Sequence, residues 1–446
     1  MRVIIAGAGD VGFHLAKLLA NEGHEIILID LDTARLRQAA ANLDVITIKG
    51  SSTSYKILEE ANVDDADLLI SVTSSEETNL TTAMIGKHLG AKKTIARIQN
   101  EEYLINKEKL DLRDLGIDEI ISPAVLAAKE IKRLLKEVAV TDTFDFDEGK
   151  LSLLGVNIDE TSRLCGKTLI EMAHLNPAQN FLTVAILRDN QTIIPHGNNY
   201  FLAGDHAYFV SQPDGVDQLL ELVGKEKQEI RNVMILGGSK VGYHAAKSLS
   251  RKFKVKLIEL DKDKCFELAD QLKNVMIING DGRDVELLEE EGIADMDAFI
   301  AVTGNSETNI ISCLVAKNRQ VKKTISLVEN VDYIHLSQNI GVDTMINKKL
   351  IAANFIFRYV RQGDVISLTS IHGVDAEILE FIVKAGSKIT ESEIKNLEFP
   401  KGAIIGGVVR NGIGYTTMGN FQFRPKDRAV VLCRPDCIKR VEEFFK

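Results

Sequence analysis

The sequence predicts an α/β chain in two halves, each a doubly wound parallel-sheet unit followed by a small α+β unit. Three observations lead there. An apolar run over residues 2–6 enters the turn Gly7-Ala8-Gly9-Asp10-Val11-Gly12 and then a helical stretch over 13–21. The arrangement recurs 230 residues on, where 233–236 enters Gly237-Gly238-Ser239-Lys240-Val241-Gly242. After each such unit the apolar period shifts from 3.6 to 2, the pattern of an antiparallel sheet.

Each residue of the first turn has a physical task. Gly7 lets the chain leave the strand sharply, Gly9 leaves room for a pyrophosphate against the backbone, and Gly12 lets the helix lie close on the strand. Free N–H groups at the helix start then face the phosphates. A second strand, 25–29, ends on Asp30, 18 residues after Gly12. A carboxylate there can accept hydrogen bonds from both ribose hydroxyls. Asp32 adds a second acid that would repel a 2′-phosphate, so NAD(H) is favoured over NADP(H). Together these mark a Rossmann-like nucleotide site; the alternative is the same fold with a vestigial pocket.

The remaining elements follow in order. In the first copy 45–48, 68–72, 94–98 and 119–122 read as further strands, short and apolar as in a parallel sheet covered on both faces. Helices are expected between them, including 76–89 and 101–110. That makes six strands, the doubly wound number. Val72-Thr73-Ser74-Ser75-Glu76-Glu77-Thr78-Asn79 and Val302-Thr303-Gly304-Asn305-Ser306-Glu307-Thr308-Asn309 share five of eight residues at the offset of 230, which secures the duplication. A long apolar helix follows each sixth strand, 123–135 and 350–360. It packs either on its own sheet or as an exchanged or subunit-bridging helix; Phe355, Phe357 and Tyr359 favour an interface.

Alternating runs then begin. Strands are expected at 143–146, 150–156, 183–187, 192–194 and 207–210, with a helix at 167–175 and a turn at 188–190. In the second copy 403–409 and 413–416 flank Arg410-Asn411-Gly412, a hairpin signal, and 429–432 closes the sheet. Arg188 and Arg410, Gly197 and Gly419, and Asp205 and Asp427 are each 222 apart, so this unit is duplicated too. Helices 216–223 and 438–445 end the two copies, and 224–230 reads as the hinge. The expected domains are 1–136, 137–224, 231–361 and 362–446.

Composition narrows the function. A net charge of −10 argues against nucleic-acid binding by phosphate neutralisation. Five scattered cysteines, 165, 265, 313, 433 and 437, supply no metal-ligand set. No apolar run approaches a membrane span and no leader precedes the first strand, so a cytoplasmic protein is expected. His14 and His244 lie on matching helix faces as polar residues, and no acid–base or nucleophile pattern recurs between the copies. Sensing is therefore favoured over catalysis, with an NAD-dependent oxidoreductase as the alternative.

The two sites should differ. Asp10 disfavours a highly charged triphosphate, whereas Lys240 at the same place favours one. Ser239 puts a side chain where the middle glycine should be. Arg97 at the end of the fifth strand corresponds to Leu327; it reaches a phosphate or neighbouring subunit, or makes a solvated salt bridge. Ser74, Ser75 and Asn79 open a helix at the crevice rim, contacting ligand or capping the helix.

Paired Rossmann-like and α+β units, with Gly-Ala-Gly-Asp-Val-Gly and Val-Thr-Ser-Ser-Glu-Glu-Thr-Asn, resemble the TrkA family, peripheral regulatory subunits of Trk potassium uptake systems. The resemblance spans essentially the whole chain. It implies RCK domains, the small units being of the RCK C-terminal type. It implies a cytoplasmic gating ring docked on the inner face of the plasma membrane through a potassium-translocating partner. Rings of eight such units imply a homotetramer. NAD(H) is implied in the first Rossmann-like domain, with ATP, ADP or AMP open for either. Carried over by position, the contacts are Gly7, Ala8, Gly9, Asp10, Val11, Gly12, Asp30, Ser51, Ser52, Thr73, Ser74 and Arg97, with Glu259 at the second site. Gly238-Ser239-Lys240 and Glu259 depart from the pattern and leave the second ligand open.

Overall fold

Strand Arg2–Ala6 is apolar after its first residue and buried along both faces, which suits the centre of a parallel sheet. In the computed structural model it lies between Glu25–Asp30 and Leu68–Ser71, all parallel. Ile46–Lys49, Thr94–Arg97 and Glu119–Ile121 complete six strands in the order 3-2-1-4-5-6 along the chain. The second copy repeats that order with Asn232–Leu236, Lys254–Glu259, Val275–Asn279, Ala298–Ala301, Lys323–Leu327 and Thr344–Ile346. The strand order reverses between the first and fourth strands, so each unit opens a crevice at the carboxyl end of its sheet. The structure describes residues 1–20, 23–100, 102–105, 111–135, 142–189, 191–225, 230–330, 333, 341–360, 365–370 and 374–446. Of the expected helix 101–110, Glu102–Ile105 is described; residues 21 and 190 and most of the expected hinge, 226–229, lie outside the described residues.

The glycine turns are sterically fixed. Gly7 has φ of 110°, and a Cβ on Gly12 would lie 1.8 Å from the Gly7 carbonyl oxygen. Helix Asp10–Ala20 can start only because that contact is free.

The two long helices exchange partners within the chain. Pro123–Leu134 leaves the first sheet and lays Ala127, Ala128, Ile131 and Leu134 against Val241, Ala245, Ala246 and Leu249 of helix Lys240–Leu249. Lys348–Val360 returns the contact, placing Ala352, Ala353, Ile356 and Phe357 on Val11, Leu15, Ala16 and Leu19 of Asp10–Ala20. Paired alanines on each helix let the backbones approach. Lys93 of the first unit holds its ammonium 5.5 Å from the Tyr359 ring centroid. Of the two readings left open by the sequence, exchange is the one adopted.

Each small unit is a five-stranded antiparallel sheet in the order 4-3-5-2-1 along the chain, from Asp142–Phe146 to His206–Ser211 and from Val365–Ser370 to Arg428–Cys433. The residues 222 apart prove to be ion pairs. Arg188 grips buried Asp205 with Nε–Oδ1 and Nη2–Oδ2 distances of 2.7 Å. Arg410 grips buried Asp427 at 2.8 and 2.7 Å. Such bidentate pairs pin the hairpin to the closing strand. The copies differ at one element. Helix Leu169–Leu175 starts on a capping box between Thr168 and Glu171. Its counterpart is two 3₁₀ turns, Lys388–Thr390 and Ile394–Asn396. There Ile389 and Ile394 stand five apart, off the helical repeat.

The two small sheets pack on each other through Leu151, Leu153, Val184, Tyr208, Val210, Ile378, Val409, Val430 and Leu432. Gly414 makes this possible, since a Cβ there would sit 2.0 Å from the Lys150 carbonyl oxygen.

Candidate functional site

In the first unit, helix and second strand converge on the glycine turn. The Ala8 N–H donates to Asp30 Oδ2 at 2.6 Å, and the Asp32 N–H donates to Asp30 Oδ1 at 2.8 Å. The acid thus braces the turn while keeping lone pairs free for further donors. Asp32 caps the helix Thr33–Asn42 by accepting from the Ala34 N–H. Gly9 is the informative glycine. A Cβ there would meet only Arg35 Nη1, at 3.8 Å. The protein's own packing leaves that space open, as a ligand site requires. Arg35, which sequence reasoning missed, has its Nε 3.6 Å from Asp32 Oδ2 and stands over the turn. The only sequence signal was its place on the first turn of the helix after Asp30.

Across the crevice, Thr73 packs directly on Gly7: a Cβ on Gly7 would lie 2.9 Å from the Thr73 nitrogen. Thr73 donates through both its N–H (2.8 Å) and its hydroxyl (2.7 Å) to Asn79 Oδ1. Asn79 in turn donates from Nδ2 to the carbonyls of Thr73 and Arg97. It is buried and ties the ends of strands four and five together. Asn309 makes the same bonds to Thr303 and Leu327. Asn79 is therefore a brace, and Ser75 is the helix cap, accepting from the Thr78 N–H. The Ser51 hydroxyl pairs with Thr53 at 2.8 Å. Ser52 is turned inward to Thr82 at 2.9 Å, and Val11 is part of the core, so their side chains face away from the crevice.

At the second turn Gly238 N–H donates to Glu259 Oε2 at 2.8 Å and Asp261 N–H to Oε1 at 3.0 Å, with Lys264 Nζ 3.0 Å from Oε2. Burial opposes ionisation of Glu259, but these donors outweigh it and hold the carboxyl below the usual range. Ser239 does not project into the crevice. Its hydroxyl donates to the Val302 carbonyl at 2.6 Å and caps the helix through the Gly242 N–H.

The structure brings Gly7, Ala8, Gly9, Asp10, Gly12, Asp30 and Thr73 together. It places Ser74 and Arg97 elsewhere: they line a cavity of about 1000 Å³ between the two parallel-sheet units, opposite Gly238, Lys240, Tyr243 and Lys264. Burial works against the charge of Arg97, and its buried Nε has no hydrogen-bond partner. Lys240 Nζ crosses the cavity to Gln99 Oε1 at 2.9 Å. Asp10 Oδ2 crosses the other way, 2.7 Å from Lys349 Nζ, which also lies 2.8 Å from Glu329. His14 is half-buried on the outer helix, where burial lowers its basicity. Among the described residues no cluster of His, Cys, Asp or Glu could hold a metal, and no helix is long and apolar enough to cross a membrane.

Comparison with known proteins gives a consistent answer. The TrkA-N domain family matches residues 3–123 and 233–348, and the TrkA-C domain family matches 153–224 and 378–446. The chain is 33% identical over 455 residues to Trk system potassium uptake protein TrkA homolog 2 of Methanosarcina mazei, covering all of both chains. It is 31% identical over 414 residues to Trk system potassium uptake protein TrkA of Halomonas elongata, covering 92% of this chain and 91% of that one. Among solved structures it resembles the GsuK RCK domain, at 15% identity and a TM-score of 0.60, over 100% of this chain and 94% of that one. It also resembles the GsuK channel bound to NAD, at 14% identity and a TM-score of 0.61, over 100% of this chain and 78% of that one. At those identities the likeness is one of fold.

Proposed function

The chain belongs to the TrkA family of Trk potassium uptake proteins, and from that premise we propose that it is a non-catalytic, nucleotide-sensing subunit that gates a potassium-translocating membrane partner. It works from the cytoplasmic side as a ring of RCK units, four chains contributing two each. NAD(H) occupies the first glycine turn, and an adenine nucleotide is the candidate for the second. GsuK, of like fold, has been solved bound to NAD and bound to ADP. In this reading the backbone of Gly7–Gly12 holds the pyrophosphate. Asp30 reads the ribose, and Ser51 and Thr73 complete the wall. Ser74 and Arg97 approach a ligand from the cavity side, and Glu259 takes the place of Asp30 at the second turn. Ser52 and Val11 contribute backbone alone.

One observation carries the proposal. Both glycine turns face the opposite parallel-sheet unit, through Asp10 to Lys349 and through Lys240 to Gln99, while the exchanged helices tie the units together. A ligand can bias a conformational equilibrium only by binding one arrangement better. A site walled by two units that share helices meets that condition. The oxidoreductase alternative finds no acid–base group at the first turn, where His14 points away from the ligand space. The test is potassium flux through the reconstituted partner with one nucleotide added at a time. A nucleotide-dependent change in flux without NADH consumption supports the reading; NADH turnover, or flux indifferent to every nucleotide, overturns it.

A further inference from the structure

The two glycine turns carry opposite charges at one position, and the facing unit answers each differently. Lys240 supplies its own cation at the second turn. Three residues beyond the strand Glu119–Ile121, the exchanged helix that packs against this turn's helix has Ala124. At the first turn the resident charge is Asp10, an acid beside the space left over Gly9. Three residues beyond the matching strand Thr344–Ile346, the other exchanged helix has Lys349. Its ammonium is 2.7 Å from Asp10 Oδ2. Lysine and acid have thus traded places between the copies: Lys240 with Ala124, Asp10 with Lys349.

The surrounding charges are closely matched. Lys349 is shared with Glu329 at 2.8 Å, and Lys348 pairs with Glu329 at 2.6 Å, so two lysines meet two acids. Arg35 stands on the other side of the turn and is engaged by Asp32. Without Lys349, the Asp10 carboxylate would face an incoming pyrophosphate uncompensated, and like charges that close repel.

We propose that Lys349, contributed by the second unit, is the counter-charge that lets the first glycine turn accept an anionic dinucleotide. It is a specificity-determining residue of the first site although it lies outside that site's own fold. This rests on the reading of the first turn as an NAD(H) site. Because Lys349 heads a helix packed on the first unit, a phosphate that draws it in also draws on the second unit.

The test is NADH titration of the full chain by calorimetry, comparing wild type with Lys349→Gln, Lys349→Arg, Asp10→Asn and the double variant Asp10→Asn/Lys349→Gln. Lys349→Gln should weaken binding about fivefold, the scale of one partly exposed charge pair. Lys349→Arg should restore it, and the double variant should return close to wild type because the acid that needed neutralising is gone. Asp10→Asn alone should bind at least as tightly as wild type, which probes the idea without touching the exchanged helix. Wild-type affinity in Lys349→Gln overturns the inference, as does a loss that persists unrelieved in the double variant or a weaker Asp10→Asn. Failure of the wild-type chain to bind NADH overturns the site reading and the inference together.

Discussion

Gln99 and Glu329 occupy matching places 230 residues apart, and each faces the glycine turn of the opposite unit. Gln99 accepts from Lys240 at 2.9 Å, and Glu329 meets Asp10 through the shared Lys349. The contacts are pseudo-symmetric in position and unlike in chemistry. One is a single neutral acceptor for an ammonium; the other is an ion cluster. Occupying one turn therefore perturbs a different set of bonds from occupying the other, which is what two sites with separate effects on one assembly require.

Asp30 is the first residue to test. Its two oxygens already hold the Ala8 and Asp32 N–H groups. Asp30→Ala would therefore loosen the turn as well as remove the ribose acceptor. Asp30→Asn is the cleaner change, because it keeps an acceptor oxygen for Ala8. It should weaken NADH binding by about tenfold, in line with the loss of a charge-assisted hydrogen bond. Calorimetry measures the loss, and an unchanged circular dichroism spectrum excludes unfolding.

The exchange of helices predicts a cross-unit stability effect. Ile356 is fully buried against the helix Asp10–Ala20 of the other unit. Ile356→Ala should cost about 2–4 kcal/mol through lost burial and a residual cavity. Its signature is position. Amides of the first unit's helix Asp10–Ala20 should exchange faster with solvent, although the substitution lies more than three hundred residues away in the chain. Hydrogen-exchange mass spectrometry checks this, and Ile131→Ala should have the mirrored effect on Lys240–Leu249.

The duplicated architecture was legible because its signals are local. Glycine spacing, apolar runs of strand length and repeats at fixed offsets need no knowledge of what packs on what. The destination of the two long helices was not legible, since the stripe of Ala127, Ala128 and Ile131 suits either sheet equally. Only the completed fold shows which hydrophobic face lacked cover. Asn79 was visible as a polar residue at a helix start, but its bonds run to strands four and five, which sequence order cannot bring together. Arg97 reads as an extra cation beside the first site. The geometry instead places it opposite Lys240, because the crevice belongs to two units and the sequence displays one at a time.

The cavity between the units gives a third prediction. Arg97 is half-buried with Nε unpartnered, and Lys240 and Lys264 line the same space. Under the reading proposed above, an adenine nucleotide with several phosphates would engage these cations. Arg97→Ala should then weaken ATP binding by roughly tenfold, the loss of one charged hydrogen-bonding partner, and leave NADH affinity at the first turn within twofold. Paired titrations of the two ligands on one preparation would show it. Equal losses for both would mean that Arg97 supports the fold of the rim and contacts neither ligand.

The joint between the small sheets predicts a dependence on pH. Glu380 is buried, and Arg428 Nε lies 2.9 Å from its Oε1 while Nη1 of the same guanidinium reaches Asp147 of the first small unit. Burial raises the Glu380 carboxyl above its ordinary value; Arg428 opposes that and Asp147 adds to it. For an acid raised in this way the folded chain binds the extra proton. Its contribution to stability is complete below the unfolded value of 4.5 and is lost as pH rises through the folded value. Asp159 runs the other way: hydrogen bonds from Lys225 and Thr161 hold it down to about 2, so its contribution is lost only as pH falls below 3.8. Glu380→Gln should abolish the first dependence and leave stability at pH 7 equal or higher, because a buried charge is replaced by a neutral group of the same shape. Arg428→Ala should instead strand Glu380 and cost about 3 kcal/mol at pH 7, shrinking as the pH is lowered towards 5. Urea unfolding of the three chains across that range separates these outcomes: a flat profile for Arg428→Ala would mean that its cost is lost packing between the sheets.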